Sequence, residues 1–202
     1  MSNIEAFFLI ALVMASVFLA AVLAKDKGII PITGMVESGT ATTSVILSEE
    51  TSIKVTGSID FGSGRVDADA SNATLDSDAG TVVGGTWNAS LLPKYIQVEN
   101  DGTVNISVNI SAEGNKNAHG FIGGTNPEFQ LKGNETEEDA CPTLAEEWTD
   151  VPNSTETKFN ICGSLDFAQI SDSFNVSARL VIPNDAASGE RNVTLTFSAS
   201  KV

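Results

Sequence analysis

The chain has one histidine and two cysteines in 202 residues, and Cys141 and Cys162 belong to no CxxC pair and no Cys/His cluster. A zinc site of the usual kind cannot be assembled from that set. A Ser-His-Asp or Cys-His machine has only His119 to build on. That residue lies in NKNAHGFIGG, with no serine or cysteine beside it, and reads as structural. The adjoining GFIGGT has neither the lysine nor the following helix of a phosphate cradle, so it reads as a turn. Basic residues are also scarce, with 11 Lys and Arg against 26 Asp and Glu and a net charge of −15. Nothing here could replace counterions along a phosphate backbone, so nucleic acid is excluded as a partner. The charge is what a solvated acidic surface carries, and it keeps copies soluble. Aromatic residues make up 6% of the chain, and Trp87, Tyr95 and Trp148 are scattered where a sugar-binding module wants a cluster. No carboxylate pair stands out for glycoside hydrolysis. The chain is not expected to be an enzyme, and no cofactor is called for.

What the sequence does have begins at its N-terminus. Residues 6–24, AFFLIALVMASVFLAAVLA, contain no charge, proline or glycine. As a helix they would measure about 28 Å, the thickness of a hydrocarbon core, and being apolar all round they need burial on every side. Three readings stand open. A cleaved signal peptide has small residues, Val22 and Ala24, before Lys25, but lacks basic residues in MSNIEA. A plain membrane anchor is long enough, yet Lys25 and Lys27 follow it, against the positive-inside rule for an exported C-terminal domain. The third is a helix packed against its own copies, with Phe7 and Phe8 in its apolar surface and Glu5 needing a partner there. No basic leader precedes Met1, so this form is expected to be already processed, with the membrane as its partner before assembly.

Residues 26–38 read as an extended linker broken by Gly28, Pro31 and Gly34. Within it Ile29, Ile30, Ile32, Met35 and Val36 form a β-prone patch. It is either the first strand of its own domain or a strand added to another subunit's sheet. From residue 39 to 202 the period is two. Val104, Ile106, Val108 and Ile110 alternate with polar residues, as do Phe174 through Ile182 and Val193 through Ala199. Shorter candidates lie at 44–47, 52–61, 95–98, 129–132 and 158–162. About eight short runs bounded by Gly, Asn, Asp and Pro predict one β-sandwich or jelly-roll domain. The predicted class is thus mainly β, with an apolar helix at 1–25 ahead of the linker. No amphipathic helix is expected later, apart from one turn at 144–148. No C-terminal anchor is apparent, so attachment is expected to be N-terminal.

N-x-S/T triplets begin at Asn72, Asn88, Asn105, Asn109, Asn134, Asn153, Asn175 and Asn192. Fifteen asparagines in a chain of this Ser and Thr content would give roughly three by chance. Asn105, Asn109, Asn175 and Asn192 fall on the polar side of their alternations and the other four in polar stretches, so all eight are expected to face water and to carry N-linked glycans. An exported domain makes a Cys141–Cys162 disulfide the economical pairing, two buried thiols being the other reading. Asp67, Asp69, Asp76 and Asp78, in DADASNATLDSD, imitate a calcium loop without its glycine or closing glutamate, a weak pointer to bound calcium.

Glu5 ahead of an unbroken apolar helix resembles the mature N-terminus of type IV pilins and their archaeal relatives. In that family the carboxylate is taken to pair with a neighbouring subunit's N-terminal amine. The ITG linker, SVILSEETSIKVTGSIDFGSGRVD and the closing VIPNDAASGERNVTLTFSAS resemble in layout the TasA/camelysin-type and archaeal thread or bundling-pilus subunits. That resemblance implies a glycosylated structural subunit of an archaeal cell-surface filament or envelope, a homopolymer formed through its N-terminal segment. Those subunits polymerise by donating an N-terminal strand to the next copy. A membrane-anchored adhesin is the other expectation.

Overall fold

The computed structural model describes Val45 and residues 48–92, 94–152 and 158–202. Apart from Val45 these belong to one compact unit, Leu47–Val202. The apolar segment with Glu5, Phe7 and Phe8, the linker with Ile29, Ile30 and Ile32, most of the candidate strand at 44–47, and Asn153 lie outside the described residues. Among the described residues no helix is long and apolar enough to cross a membrane.

The fold is mainly β, and its ladders are antiparallel. The strands are β1 Ile53–Gly57, β2 Asn72–Asp76, β3 Thr81–Val83, β4 Ile96–Asn100, β5 Ile106–Ala112, β6 Glu128–Glu135, β7 Thr149–Asp150, β8 Phe159–Leu165, β9 Ser173–Pro183 and β10 Leu195–Lys201. A large sheet runs β1-β4-β9-β2-β3, with β6 also on β9 and β7 on β6; a three-stranded sheet runs β10-β5-β8. The period of two explains both. On β5 Ile106, Val108, Ile110 and Ala112 are buried while the residues between them are not, and on β9 Phe174, Val176, Ala178 and Leu180 point the same way. These two rows meet in one core that also takes Leu75, Val98, Leu131, Ile161 and Leu165. β9 is the hub of the large sheet: β6 runs along one edge, and β4 followed by β2 along the other.

Two expectations are corrected. The acidic stretch 67–78 is not simply a loop, because β2 lies inside it. Ala73 and Leu75, both 0% exposed, pair with Ile182 and Leu180 and face the core. Two apolar residues among aspartates and asparagines give too little alternation for the strand to stand out. The β2–β3 turn is capped by Asp76, whose carboxylate accepts from the backbone N–H groups of Asp78 and Ala79 at 2.8 and 2.9 Å. After β3, Gly84 has φ +70°, and a Cβ there would lie 2.5 Å from the Asn72 carbonyl, so only glycine fits.

Residues 144–148 form no helical turn either. The Ala145 carbonyl accepts from Gly133 N–H and its own N–H donates to the Ile161 carbonyl, committing that backbone sideways to β6 and β8. The one α-helical turn among the described residues is α1, Ala118–Phe121, in the stretch read as a turn. Its N-cap is Asn117, whose side chain accepts from Gly120 N–H.

Cys141 and Cys162 form a disulfide, with Cα atoms 6.1 Å apart and a sequence separation of 21. It pins the 141–145 segment to β8. Loop-closure entropy for that spacing is worth about 3 kcal/mol. A second tie between the sheets is Asn100, at the end of β4 and 2% exposed. Its amide donates to the carbonyls of Val104, Leu165 and Asp166 and its oxygen accepts from Gly102 N–H, which joins β4 to the end of β8.

Reducing the disulfide is expected to lower the unfolding free energy by about 3 kcal/mol in urea titrations with and without reductant. Asn100→Ala is expected to cost on the order of 3 kcal/mol in the same assay, because three carbonyls lose their donor; a loss under about 1 kcal/mol would contradict the inter-sheet role.

Candidate functional site

The two sheets differ in width, and the difference creates a groove. At the β5–β8 side the inward residues of both sheets are closed over: Val98, Ile106, Val108, Leu165, Phe174 and Val176 are all 0% exposed. At the other side the small sheet ends at β10, and residues of β1, β4, β6 and β9 of the large sheet line an open space beside it. Among the described residues the inner face left uncovered is an open groove of about 1350 Å³, lined by Ile96, Leu180 and Ile182 of the large sheet, Leu195 and Phe197 of β10, and Phe61 from the segment after β1. Most of these are only half-buried, although all belong to or pack against the core.

Close packing shapes the groove walls. Trp87 lies against the backbone of Gly64 and Gly85, where an added Cβ would sit 2.3 and 2.8 Å from the indole. Phe121 of α1 stacks on Phe129 of β6 with centroids 5.2 Å apart, placing α1 at the groove wall. Two strand edges flank it. Among the described residues β1 pairs only with β4 and β10 only with β5, so each has an outer edge of backbone N–H and C=O groups free to pair. The groove combines apolar side chains with charged ones, among them Arg65, Asp67, Glu190 and Arg191, and among the described residues unpaired strand edges flank it, an arrangement open to an added extended segment.

The other sequence candidates scatter. Asp76 caps a turn, Asp78 pairs with Lys132 at 2.6 Å, and among the described residues no group of three His, Cys, Asp or Glu side chains could hold a metal ion. His119 is exposed on α1. Asn72, Asn88 and Asn192 are exposed, whereas Asn105, Asn109, Asn134 and Asn175 are only partly so. The Oδ1 atoms of Asn105 and Asn175 are buried without a protein partner. Sequence reasoning missed the groove residues, because alternation marks which side of a strand is apolar but not whether a second sheet covers it.

Trp148 is held on the outer face of the large sheet, with Lys132 Nζ 5.0 Å and Arg179 Cζ 5.1 Å from its ring centroid. Gln130 accepts from Arg179 and donates to Asp150 at 2.8 Å, so these polar groups clasp the 141–150 segment to the sheet. At one end of the large sheet the Glu137 carboxylate accepts from the N–H groups of Asp172 and Ser173. Burial, together with the charges of Glu137, Glu99 and Asp101, raises the Asp172 carboxyl above its ordinary value. Across the molecule, two hydrogen bonds from Thr125 lower the pKa of Asp185.

No protein-family model matches the chain, and no curated protein or solved structure matches it significantly.

Because its folded pKa is raised, ionised Asp172 opposes folding as pH climbs from the ordinary aspartate range through the raised value. Asp172→Asn is therefore expected to raise the melting temperature at pH 7 and to give no gain at pH 3. An equal gain at both pH values would show that the cost of the ionised carboxylate, from burial and its acidic neighbours, is not the cause.

Proposed function

We propose that the chain is a structural subunit of an extracellular, glycosylated filament or envelope layer, a homopolymer assembled through its N-terminal segment. The observation that carries this reading is the groove, with Ile96, Leu180, Ile182, Leu195 and Phe197 in its lining, beside strands β1 and β10, each unpaired along one edge among the described residues. Among the described residues the inner face of the large sheet is only partly covered and β1 and β10 each keep one unpaired edge, which leaves room for an added strand. The linker patch Ile29, Ile30, Ile32, Met35 and Val36 has the β-prone, apolar character to supply it. A neighbouring copy's patch in the groove extends the small sheet beyond β10 and links subunits head to tail, and such a heterologous contact propagates where a self-complementary one closes.

The reading assigns no catalysis and no cofactor. It puts the domain outside the cytoplasm, where a disulfide persists and asparagines receive glycans. The net charge of −15 makes copies repel one another, so assembly strengthens as salt screens that repulsion.

Negative-stain images of the purified full-length chain are expected to contain regular filaments, longer at 0.5 M than at 0.02 M salt. Ile29→Asp with Ile32→Asp is expected to leave short oligomers or monomers. Monomers of the unaltered chain under every salt and protein concentration would sink the polymer reading. Filaments unaffected by the double substitution would remove strand donation while sparing the polymer.

A further inference from the structure

The sequons look alike in sequence, but the fold treats them differently. We propose that the folded domain accepts N-linked glycans at Asn88 and Asn192, with Asn88 the best presented, and refuses them at the facing pair Asn134 and Asn175. This rests on the glycoprotein reading above and adds to it which sites are used.

Transfer forms a bond from the asparagine Nδ2 to the anomeric carbon of a sugar on a lipid-phosphate carrier. The bond from that carbon to the carrier's phosphate oxygen breaks, the phosphate leaves with the electron pair, and Nδ2 gives up one proton. The transferase must therefore hold the asparagine and the hydroxyl residue two positions later together. A sequon can be modified on the folded domain only if that short segment is free of its neighbours.

Asn88 meets this condition. It lies outside every strand and caps the 3-10 turn Ala89–Leu91. Its Oδ1 accepts from the hydroxyl of Ser90 at 2.7 Å and from Ser90 N–H at 3.1 Å. Asparagine and hydroxyl are thus already brought together in an exposed turn, and both bonds fall on the oxygen rather than on the acceptor nitrogen. Asn192 is exposed between β9 and β10, outside any strand, whereas the exposed Asn72 opens a triplet whose Thr74 is paired with both β3 and β9.

Asn134 and Asn175 fail on three counts. Asn175 lies within β9, facing Asn134 of β6 on one side and Gln97 of β4 on the other, so its backbone cannot leave without opening the hub of the sheet. Both hydroxyl residues are also committed. Ser177, of the Asn175 triplet, is 2% exposed and its Oγ accepts from Asn134 Nδ2 at 2.8 Å. Thr136, of the Asn134 triplet, donates to the Ser173 carbonyl at 3.1 Å. Finally, directly opposed Cβ atoms are about 5 Å apart, less than the width of two pyranose rings with their hydroxyls. Ser77, Asp78 and Tyr95 wall the shared hollow, which holds only about 130 Å³.

The test is site-resolved glycopeptide mass spectrometry on the native full-length protein, cleaved at Glu and Asp and fragmented with the sugar retained. Glycan is expected on the Asn88 and Asn192 peptides, near full occupancy at Asn88, with the Asn134 and Asn175 peptides bare. In parallel, Asn88→Gln is expected to lower the intact mass by one glycan, Ser90→Thr to keep that glycan, and Asn175→Gln to leave the glycan mass unchanged, its folding checked by thermal melt. Glycan on Asn134 or Asn175 in the folded protein, or glycan confined to positions other than Asn88 and Asn192, overturns this inference and leaves the glycoprotein reading standing. A chain bare at every site overturns both.

Discussion

A seven-stranded sheet packed against a three-stranded one cannot be covered along its whole inner face. That mismatch governs most of what distinguishes this domain. Where β5 and β8 lie over β4 and β9, the side chains interlock and exclude water. Past β10 the same inward row of β9 continues through Leu180 and Ile182 into the groove. An uncovered apolar face costs free energy in proportion to its area, so it favours whatever segment covers it. In the proposed assembly that cost becomes the driving force for joining subunits.

The groove needs a rigid frame if it is to stay open. Asn100 and the Cys141–Cys162 bridge supply one at the closed side, where they join β4 and the 141–145 segment to β8. The Trp148 clasp holds the 141–150 segment against the outer face by opposite means, with cations on a ring and carboxylates beyond them. The inner face is thus held by apolar burial and one buried amide, and the outer face by polar pairing in water. Each outer pair is individually weak.

The same outer face carries the sequon pair on β6 and β9. Strand-central asparagines with engaged amides act there as part of the sheet, and a turn asparagine such as Asn88 is free to be something else. Location on a polar face is therefore not enough to make a modification site. Freedom of the local backbone decides it, and that depends on what lies on either side of the strand.

Sequence alone was sufficient for the period-two rows on β5, β9 and β10, because alternation is local and the apolar positions repeat without interruption. It also favoured the disulfide, since two cysteines allow one pairing. It was insufficient for β2, where only Ala73 and Leu75 mark the strand, and for α1, which depends on a single cap from Asn117. The groove, the Asn100 tie and the sorting of the sequons belong to the tertiary structure. Each depends on which strands become neighbours across long stretches of chain: Asn100 with Leu165, Asn134 with Asn175, Phe61 with Phe197 across the groove. A residue's own neighbours in sequence set the face it prefers. How much of that face is covered, and by what, is decided only when the two sheets meet.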